Sequence, residues 1–425
     1  MQITRQPNRS DWSVLLKRPY VDNSPLLESV QSILGAVRDH GDEALRSFTK
    51  KFNGVDLQSF EVSADEFAGV SLPSGLEQAI EKARQNIEAF HESQRVQPDV
   101  IETMPGIRCW RKSVGIEKVG LYIPGGTAPL FSTMLMLGVP AQLAGCREII
   151  LCTPCNEEGK VHPAILHTAK LLGINRIFKL GGAQAIAAMA YGTASVPAVY
   201  KIFGPGNQYV TAAKQLVQLE GVAIDMPAGP SEVCVLADTS ANASFVAADL
   251  LSQAEHGADS QVLLVTDSDE LVSKVLEEID RRLKLLPRKE IAEKALKNSR
   301  AIVVANLDEG IDLVNEYAAE HLIICCREAD ALAARVINAG SVFIGNYSPE
   351  SAGDYASGTN HTLPTNGFAR AYSGVSVDSF VKKITFQQLS EEGLQGIADT
   401  IITMAEAEGL QAHAEAVRVR RGLQL

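Results

Sequence analysis

The chain has 425 residues, 46% of them hydrophobic and 21% charged, and its formal net charge at pH 7 is -12. This length accommodates two or more domains, and this composition is ordinary for a globular protein. The acidic balance argues against nucleic-acid and anionic-membrane partners, which attract basic patches, and no apolar run is long enough to cross a bilayer. The amino terminus lacks a signal-peptide pattern, so we expect a cytoplasmic protein with a small-molecule substrate.

The chain begins with a long helical segment. Apolar residues recur every three or four positions over residues 29–52 and again over residues 75–94. This spacing is typical of amphipathic helices that bury one face.

Ten runs rich in β-branched and aliphatic residues follow, most of them separated by segments with helical periodicity. The predicted strands are Val119–Ile123, Glu148–Cys152, Arg176–Leu180, Tyr200–Phe203, Val222–Asp225 and Val233–Leu236 in a first series, then Gln261–Thr266, Ala301–Ala305, Leu322–Cys326 and Ser341–Ile344 in a second. Such alternation predicts βαβ units in parallel sheets, and ten strands favour two sheets over one. From about residue 380 the pattern predicts short helices.

Three glycine-rich turns follow strands of the first series, at residues 122–127, 181–185 and 204–207. A glycine turn between a parallel strand and a helix presents backbone N–H groups that suit phosphates. Each turn alone is more often only a tight connection, and none matches G-x-G-x-x-G. Three turns at the carboxyl ends of strands in one sheet favour a nucleotide or dinucleotide cleft.

A candidate metal site lies in the predicted helix between the two series of strands. In a helix after Ser240, Val246, Leu250, Gln253 and His256 lie on one face, so the apolar stripe ends in two side chains of ligand type. Buried polar groups destabilise a fold unless they are bonded, and a metal ion is one way to bond both.

Most of the remaining polar candidates have both a structural and a functional interpretation. Glu320 and His321, between a predicted helix and a strand, form either a surface cap or an acid/base pair. Asp354 and His361, in a loop rich in Gly, Ser, Thr and Asn, are either solvated or functional. Taken alone, Glu408 and His413 are most simply exposed helical residues. Cys152 and Cys155 have redox spacing, but the absence of a second pair favours buried thiols over a zinc site.

The order of the motifs resembles one enzyme family. The motifs are YIPGGTAPLFST, GGAQAIAA, KIFGPGN, AIDMPAGPSEV, DLLSQAEHG, SQVLLVT, AEHLII, AGSVFIG and SPESAGDYASGTNHTLPT. They closely resemble those of the histidinol dehydrogenases. The resemblance implies a zinc- and NAD-dependent four-electron oxidation of L-histidinol, through L-histidinal, to L-histidine. These are the last two steps of histidine biosynthesis, carried out by a homodimer whose chains share their sites.

Matching motif positions imply a set of site residues. The implied zinc ligands, for one ion per subunit, are Gln253, His256, Asp354 and His413. The implied catalytic residues are Glu320 and His321. The implied substrate contacts are Ser231, His361 and Glu408, together with His321 and the four zinc ligands. The implied NAD contacts are Tyr122, Gln184 and Asn207.

The resemblance also implies an α/β fold of two incomplete Rossmann-like parallel-sheet domains with helical extensions at both ends. We expect an N-terminal arm at residues 1–28 and a first α/β domain, with the metal and catalytic residues, at 29–118 and 235–375. The second α/β domain, with the NAD-binding turns, is expected at 119–234 and a helical tail that contacts the partner at 376–425.

Two alternatives belong to other classes. A zinc-dependent hydrolase would also use His, Asp and Glu around a metal, but it would not need three nucleotide-type turns, and H-E-x-x-H is absent. An inactive metabolite-binding homologue would have lost Glu320 or His321, and both are present.

Overall fold

The computed structural model describes residues 1–18, 24–95, 98–125, 129–227 and 229–422. The strands of these residues are β1 (Gln2–Arg5), β2 (Ile101–Met104), β3 (Ile107–Gly115), β4 (Lys118–Tyr122), β5 (Glu148–Cys152), β6 (Arg176–Phe178), β7 (Lys201–Phe203), β8 (Ala223–Ile224), β9 (Glu232–Ala237), β10 (Gln261–Thr266), β11 (Arg300–Val303), β12 (His321–Cys325), β13 (Ser341–Ile344) and β14 (Val381–Leu389).

The α-helices are α1 (Trp12–Leu15), α2 (Ser24–His40), α3 (Asp42–Asn53), α4 (Ala64–Ala68), α5 (Ser74–Glu92), α6 (Phe131–Leu143), α7 (Pro163–Leu171), α8 (Gly182–Tyr191), α9 (Gln208–Leu219), α10 (Ala243–Ala254), α11 (Asp269–Leu283), α12 (Lys289–Lys297), α13 (Leu307–Tyr317), α14 (Ala329–Ala333), α15 (Glu350–Tyr355), α16 (Glu391–Ala407) and α17 (Gln411–Arg418). In the part of the chain that the structure describes, no helix combines the length and the apolar character that a membrane span requires.

The first parallel sheet has five strands in the order β6-β5-β4-β7-β8. Its strands alternate with α6 to α9, so the predicted βαβ pattern is confirmed. Successive side chains of β5 enter different cores, because Ile150 and Cys152 pack on one face and Leu151 on the other.

The second parallel sheet has six strands in the order β1-β11-β10-β9-β12-β13. All ten predicted strands are therefore present, in two sheets. Strand β9 corresponds to the last predicted run of the first series, and it pairs with β10 and β12 in this second sheet. The unpredicted strand β1 adds an edge by pairing with β11, so the N-terminal arm is part of this sheet.

A third sheet is antiparallel and has the order β14-β3-β2. The expectation of helices directly after residue 380 was wrong here, because β14 pairs along its whole length with β3, from Val381 opposite Gly115 to Leu389 opposite Ile107. Almost every residue of β14 is exposed, so no buried stripe marks it as a strand. The helices α16 and α17 follow it and pack on each other.

The packing bears on the expected domain limits. Helix α2 packs on α8 and α9, and α5 packs on α6. Both α2 and α5 therefore contact helices that flank the five-stranded sheet. The domain limits stay a prediction. This packing favours a division that groups residues 29–118 with residues 119–234.

Candidate active site

The catalytic candidates lie at the amino ends of two neighbouring strands. Ser231 and Glu232 stand at the start of β9, and Glu320 and His321 stand at the start of β12. The two strands are parallel, with His321 opposite Val233. The site is therefore at the amino edge of the six-stranded sheet, whereas the glycine turns are at the carboxyl edge of the other sheet.

Glu320 is held by the main chain of β9. Its Oε2 accepts a hydrogen bond from the N–H of Glu232 at 2.9 Å, and its side chain is buried. Burial raises the pKa of Glu320 to about 7. A carboxyl group that titrates near neutral pH is suited to accept and release protons.

The imidazole of His321 is held by the same residue. Its Nδ1 lies 3.2 Å from the carbonyl oxygen of Glu232, which can only accept, so Nδ1 carries a proton. Its Nε2 lies 3.4 Å from Asp354 Oδ1. Burial alone would lower the pKa of His321, but the carboxylates of Glu320, Glu350 and Asp354 outweigh burial and raise it.

Three side chains beside this pair form a cluster that could hold a metal ion. His256, Glu350 and Asp354 each offer one ligand atom, and these atoms lie within 4.8 Å of one another. Glu350 Oε2 and Asp354 Oδ1 are buried and have no hydrogen-bond partner among the described residues. Two such oxygens beside an imidazole are the donors that a divalent cation would bind.

Glu350 was not predicted. It begins α15, and Asp354 follows four residues later, so the two carboxylates lie on one face of the helix. That spacing is visible in the sequence ESAGD and could have indicated Glu350.

Gln253 connects the cluster to the catalytic pair. When the Gln253 amide is oriented so that both of its groups are satisfied, its oxygen accepts from the N–H of Glu232 at 2.9 Å and its nitrogen donates to Glu350 Oε1. The predicted stripe is confirmed through Gln253, which is fully buried with Val246 and Leu250. The prediction that His256 continues this helix face was wrong, because α10 ends at Ala254 and His256 is exposed in the turn beyond it.

His361 is fixed by two hydrogen bonds in the loop after α15. Its Nδ1 donates to the carbonyl oxygen of Asp354 at 2.8 Å, so Nε2 accepts from the Thr133 hydroxyl at 2.9 Å. Burial lowers the pKa of His361. Thr133 belongs to α6 of the five-stranded sheet's layer and was not predicted, because nothing in its apolar helix distinguishes it.

Two predicted residues lie away from this cluster within one chain. Glu408 follows α16 and His413 is in α17, and both are exposed. Among the described residues, the cluster of possible metal ligands contains neither.

The three predicted nucleotide contacts lie at the carboxyl edge of the five-stranded sheet. Tyr122 ends β4, and its hydroxyl accepts from the N–H of Gly182 at 3.0 Å. Gln184 is buried in the first turn of α8. Asn207 caps α9 with its side-chain oxygen and is exposed.

Glycine is required in one of these turns. Gly204 has φ of +128°, and a Cβ there would collide with the carbonyl oxygen of Tyr122. Gly126 and Thr127 of the first predicted turn lie outside the described residues.

Cys152 and Cys155 are both buried. Burial raises the pKa of each thiol, which disfavours the thiolate that redox chemistry needs. This agrees with the reading of the pair as buried thiols.

A family model described as histidinol dehydrogenase matches residues 16–421. The chain belongs to the histidinol dehydrogenase family. The resemblance read from the motifs is thereby confirmed, and so is the expected enzyme class. A histidinol dehydrogenase is an oxidoreductase, so the zinc-dependent hydrolase loses its support.

Individual histidinol dehydrogenases are similar over nearly the whole chain. One from Bacteroides thetaiotaomicron is 58% identical, with 99% of each chain covered. One from Xylella fastidiosa is 56% identical over 93% of this chain and 92% of its own. The crystal structure of histidinol dehydrogenase from Elizabethkingia anophelis superposes with a TM-score of 0.97 at 54% identity, covering 99% of this chain and 98% of that one. The expected fold class is confirmed.

Proposed function

We propose that the protein oxidises L-histidinol through L-histidinal to L-histidine in the cytoplasm, with NAD and one zinc ion per subunit. The observation that carries the proposal is the Glu320–His321 pair, buried beside the cluster of His256, Glu350 and Asp354. A pair of proton-transfer groups next to N and O ligands is what two successive oxidations of a bound substrate need.

The proposed zinc ligands are Gln253, His256 and Asp354 of one chain and His413 of a second copy. The buried oxygen of Asp354, unpartnered among the described residues, and the imidazole beside it fit a borderline cation, and the cluster found in that part of the chain contains no cysteine. When bound, zinc supplies a Lewis-acidic anchor for the imidazole and amine of histidinol and takes up the charge of Asp354.

The proton transfers fall to His321 and Glu320. Because His321 donates from Nδ1 to the carbonyl of Glu232, its Nε2 is the nitrogen that exchanges the second proton, and in the neutral imidazole it can receive the alcohol proton of the first oxidation. The second oxidation starts from an aldehyde and needs water. Glu320 is a buried carboxylate with a raised pKa, and we assign it the removal of a proton from that water.

The proposed NAD contacts are Tyr122, Gln184 and Asn207, near the amino ends of α8 and α9. Two helix amino termini and glycine-rich connections at one sheet edge are suited to a pyrophosphate. When bound, NAD supplies the hydride acceptor that no side chain can provide.

The proposed substrate contacts are Ser231, His361 and, from a second copy, Glu408. Ser231 precedes Glu232 directly, and His361 is bonded to the main chain of Asp354, so both are next to the catalytic pair. A carboxylate such as Glu408 suits the imidazole N–H of histidinol.

The proposed homodimer is supported by exposed apolar side chains around the third sheet and the tail. Ile101 and Met104 of β2, Phe386 of β14, Met404 of α16 and Leu410 before α17 are each more than a third exposed. Exposed apolar groups on the paired strands and on the tail that follows them favour an interaction surface. A second copy that covers it would carry Glu408 and His413 close to the neighbouring site.

The test is NADH formation by the zinc-loaded protein. Absorbance of NADH should rise only when both histidinol and NAD are present, and histidine should accumulate. No NADH with histidinol, over a range of NAD concentrations and with zinc content verified, would contradict the proposal. Release of ammonia or an amine from an amide substrate would instead favour the hydrolase.

A further inference from the structure

A buried ion pair joins the N-terminal arm to the first residue of β9. Arg18 binds the carboxylate of Glu232 with two nitrogens: Nη2 donates to Oε2 at 2.9 Å, and Nε donates to Oε1. The side chain of Glu232 is 3% exposed and that of Arg18 is 16% exposed. Two parallel N–H···O bonds fix the orientation of both groups as well as their distance.

Arg18 is itself held on two further sides. Its Nη2 donates to the carbonyl oxygen of Tyr317 at 2.8 Å, at the end of α13. Its guanidinium carbon lies 4.2 Å from the centre of the Tyr317 ring. Arg18 therefore ties the end of α13 to the start of β9, and Glu320 lies three residues after Tyr317.

Glu232 touches the catalytic pair through its main chain. Its N–H donates to Glu320 Oε2, and its carbonyl oxygen accepts from His321 Nδ1. Its side-chain Oε1 also accepts from the N–H of Asn366 at 2.9 Å, in the loop that follows His361. A shift of the Glu232 main chain would move both proton-transfer groups together.

We propose that Arg18 and Glu232 are positioning residues for the oxidation: the ion pair fixes the main chain of Glu232, and that main chain orients Glu320 and His321. We call this pair the Arg18–Glu232 clamp. The inference rests on the proposed function of the Glu320–His321 pair. The clamp adds a role for the N-terminal arm, of whose described residues none forms a hydrogen bond with Glu320 or His321.

The arm provides a matched control. Arg5 forms an ion pair with Asp269 at 2.7 Å, but both side chains are more than half exposed, and neither contacts a residue of the candidate site. Arg5→Met removes the same charge from the same arm as Arg18→Met. Exposed pairs of this type contribute little.

The experiment compares kcat and KM of the zinc-loaded, full-length variants for histidinol and for histidinal, at equal zinc content. Arg18→Met should lower kcat about 10- to 100-fold for both substrates, because small displacements of catalytic groups have effects of this size. The fall in kcat should exceed the change in KM for histidinol, since the variant removes no side chain assigned to the substrate. Arg5→Met should match the wild type.

Chemical rescue separates positioning from stability. In Arg18→Ala, guanidinium chloride at millimolar concentrations should restore kcat several-fold by refilling the space between Glu232 and Tyr317. Urea at the same concentrations should not. If Arg18→Met does not fold, Glu232→Gln serves as the second variant, because it keeps the size and removes the charge.

The outcomes are distinct. Folded, zinc-loaded Arg18→Met and Glu232→Gln with wild-type kcat would overturn the clamp. A loss of activity that only follows the unfolded fraction, without guanidinium rescue, would overturn it as well. A wild-type protein that forms no NADH from histidinol would contradict the proposed function itself.

Discussion

At the scale of single residues, the main chain of Glu232 binds the neighbours Glu320 and His321 through two different groups. The N–H of Glu232 binds the carboxylate of Glu320, and the carbonyl of Glu232 binds the imidazole of His321. A main-chain donor stabilises an anion and a main-chain acceptor orients an N–H, so a single residue positions both groups.

The division of labour is testable by Glu320→Gln. If Glu320 serves only the water of the second oxidation, the variant should still oxidise histidinol to histidinal, but its oxidation of histidinal should fall by a factor on the order of 100. His321→Asn should slow both steps. Each half-reaction is followed separately by NADH absorbance. An equal loss of both half-reactions in Glu320→Gln would contradict the assignment of Glu320 to the second oxidation.

Glu350 provides a second test at this scale. It belongs to the cluster with His256 and Asp354 and accepts a hydrogen bond from the amide of Gln253. Removing a group that orients a metal ligand typically weakens metal binding about 10- to 100-fold. We expect Glu350→Gln to lose zinc to a competing chelator at correspondingly lower chelator concentration. Glu290→Gln, at an exposed position of α12, is the control, and equal zinc affinity of the two variants would contradict a role for Glu350.

At the scale of secondary-structure elements, the buried strands could be predicted from the sequence and the exposed strands could not. The strands β4 to β13 are runs of β-branched and aliphatic residues, most of them covered on both faces, and the sequence pattern shows them. The strands β2 and β14 are mostly exposed and pair through the main chain, so they lack that pattern. The same limit applies to β1, a short edge strand.

The position of the candidate site was only half predictable. Ligands of open parallel sheets bind at carboxyl ends, and by this rule the glycine turns are candidates for ligand contacts. Glu320 and His321 are instead at the amino end of β12. Their role was suggested by residue types and by the family resemblance. Thr133 and His361 are far apart in the chain, and no sequence pattern indicates that their side chains are in contact.

Thr133→Val tests the contact between α6 and the loop of His361. Valine keeps the shape but removes the hydroxyl that donates to Nε2 of His361. A lost bond to a buried group costs about 1–2 kcal/mol, so kcat/KM for histidinol should fall roughly 5- to 30-fold. Thr168→Val is the control, since Thr168 is equally buried but bonds only to Ala164 of its own helix. If both variants had the same kcat/KM, the hydrogen bond between Thr133 and His361 would not contribute to the oxidation.

At the scale of the whole molecule, the proposed site residues of one chain lie in two separate places. Gln253, His256 and Asp354 belong to the six-stranded sheet and its helices, whereas Glu408 and His413 lie in an exposed tail. The tail is joined to the rest of the chain mainly by the pairing of β14 with β3. An extension of this kind can reach a neighbouring subunit, which is why we propose sites shared between two chains.

Complementation tests the shared site. His413→Ala and His256→Ala should each be inactive alone. After subunit exchange at equal amounts, about half of the dimers are mixed, and each mixed dimer has one intact site if the tail acts on its neighbour, so roughly a quarter of wild-type activity should return. With exchange verified independently, no recovery would mean that His413 acts within its own chain.

The most direct measurement of the proposed function is the amount of NADH formed per histidinol consumed. Zinc-loaded protein is given limiting histidinol and excess NAD, and the product is identified when absorbance stops rising. If Glu320 and His321 serve both oxidations at one site, two NADH form per histidinol, and histidine is the product. One NADH per histidinol with histidinal released, or no NADH at all, would contradict the proposal.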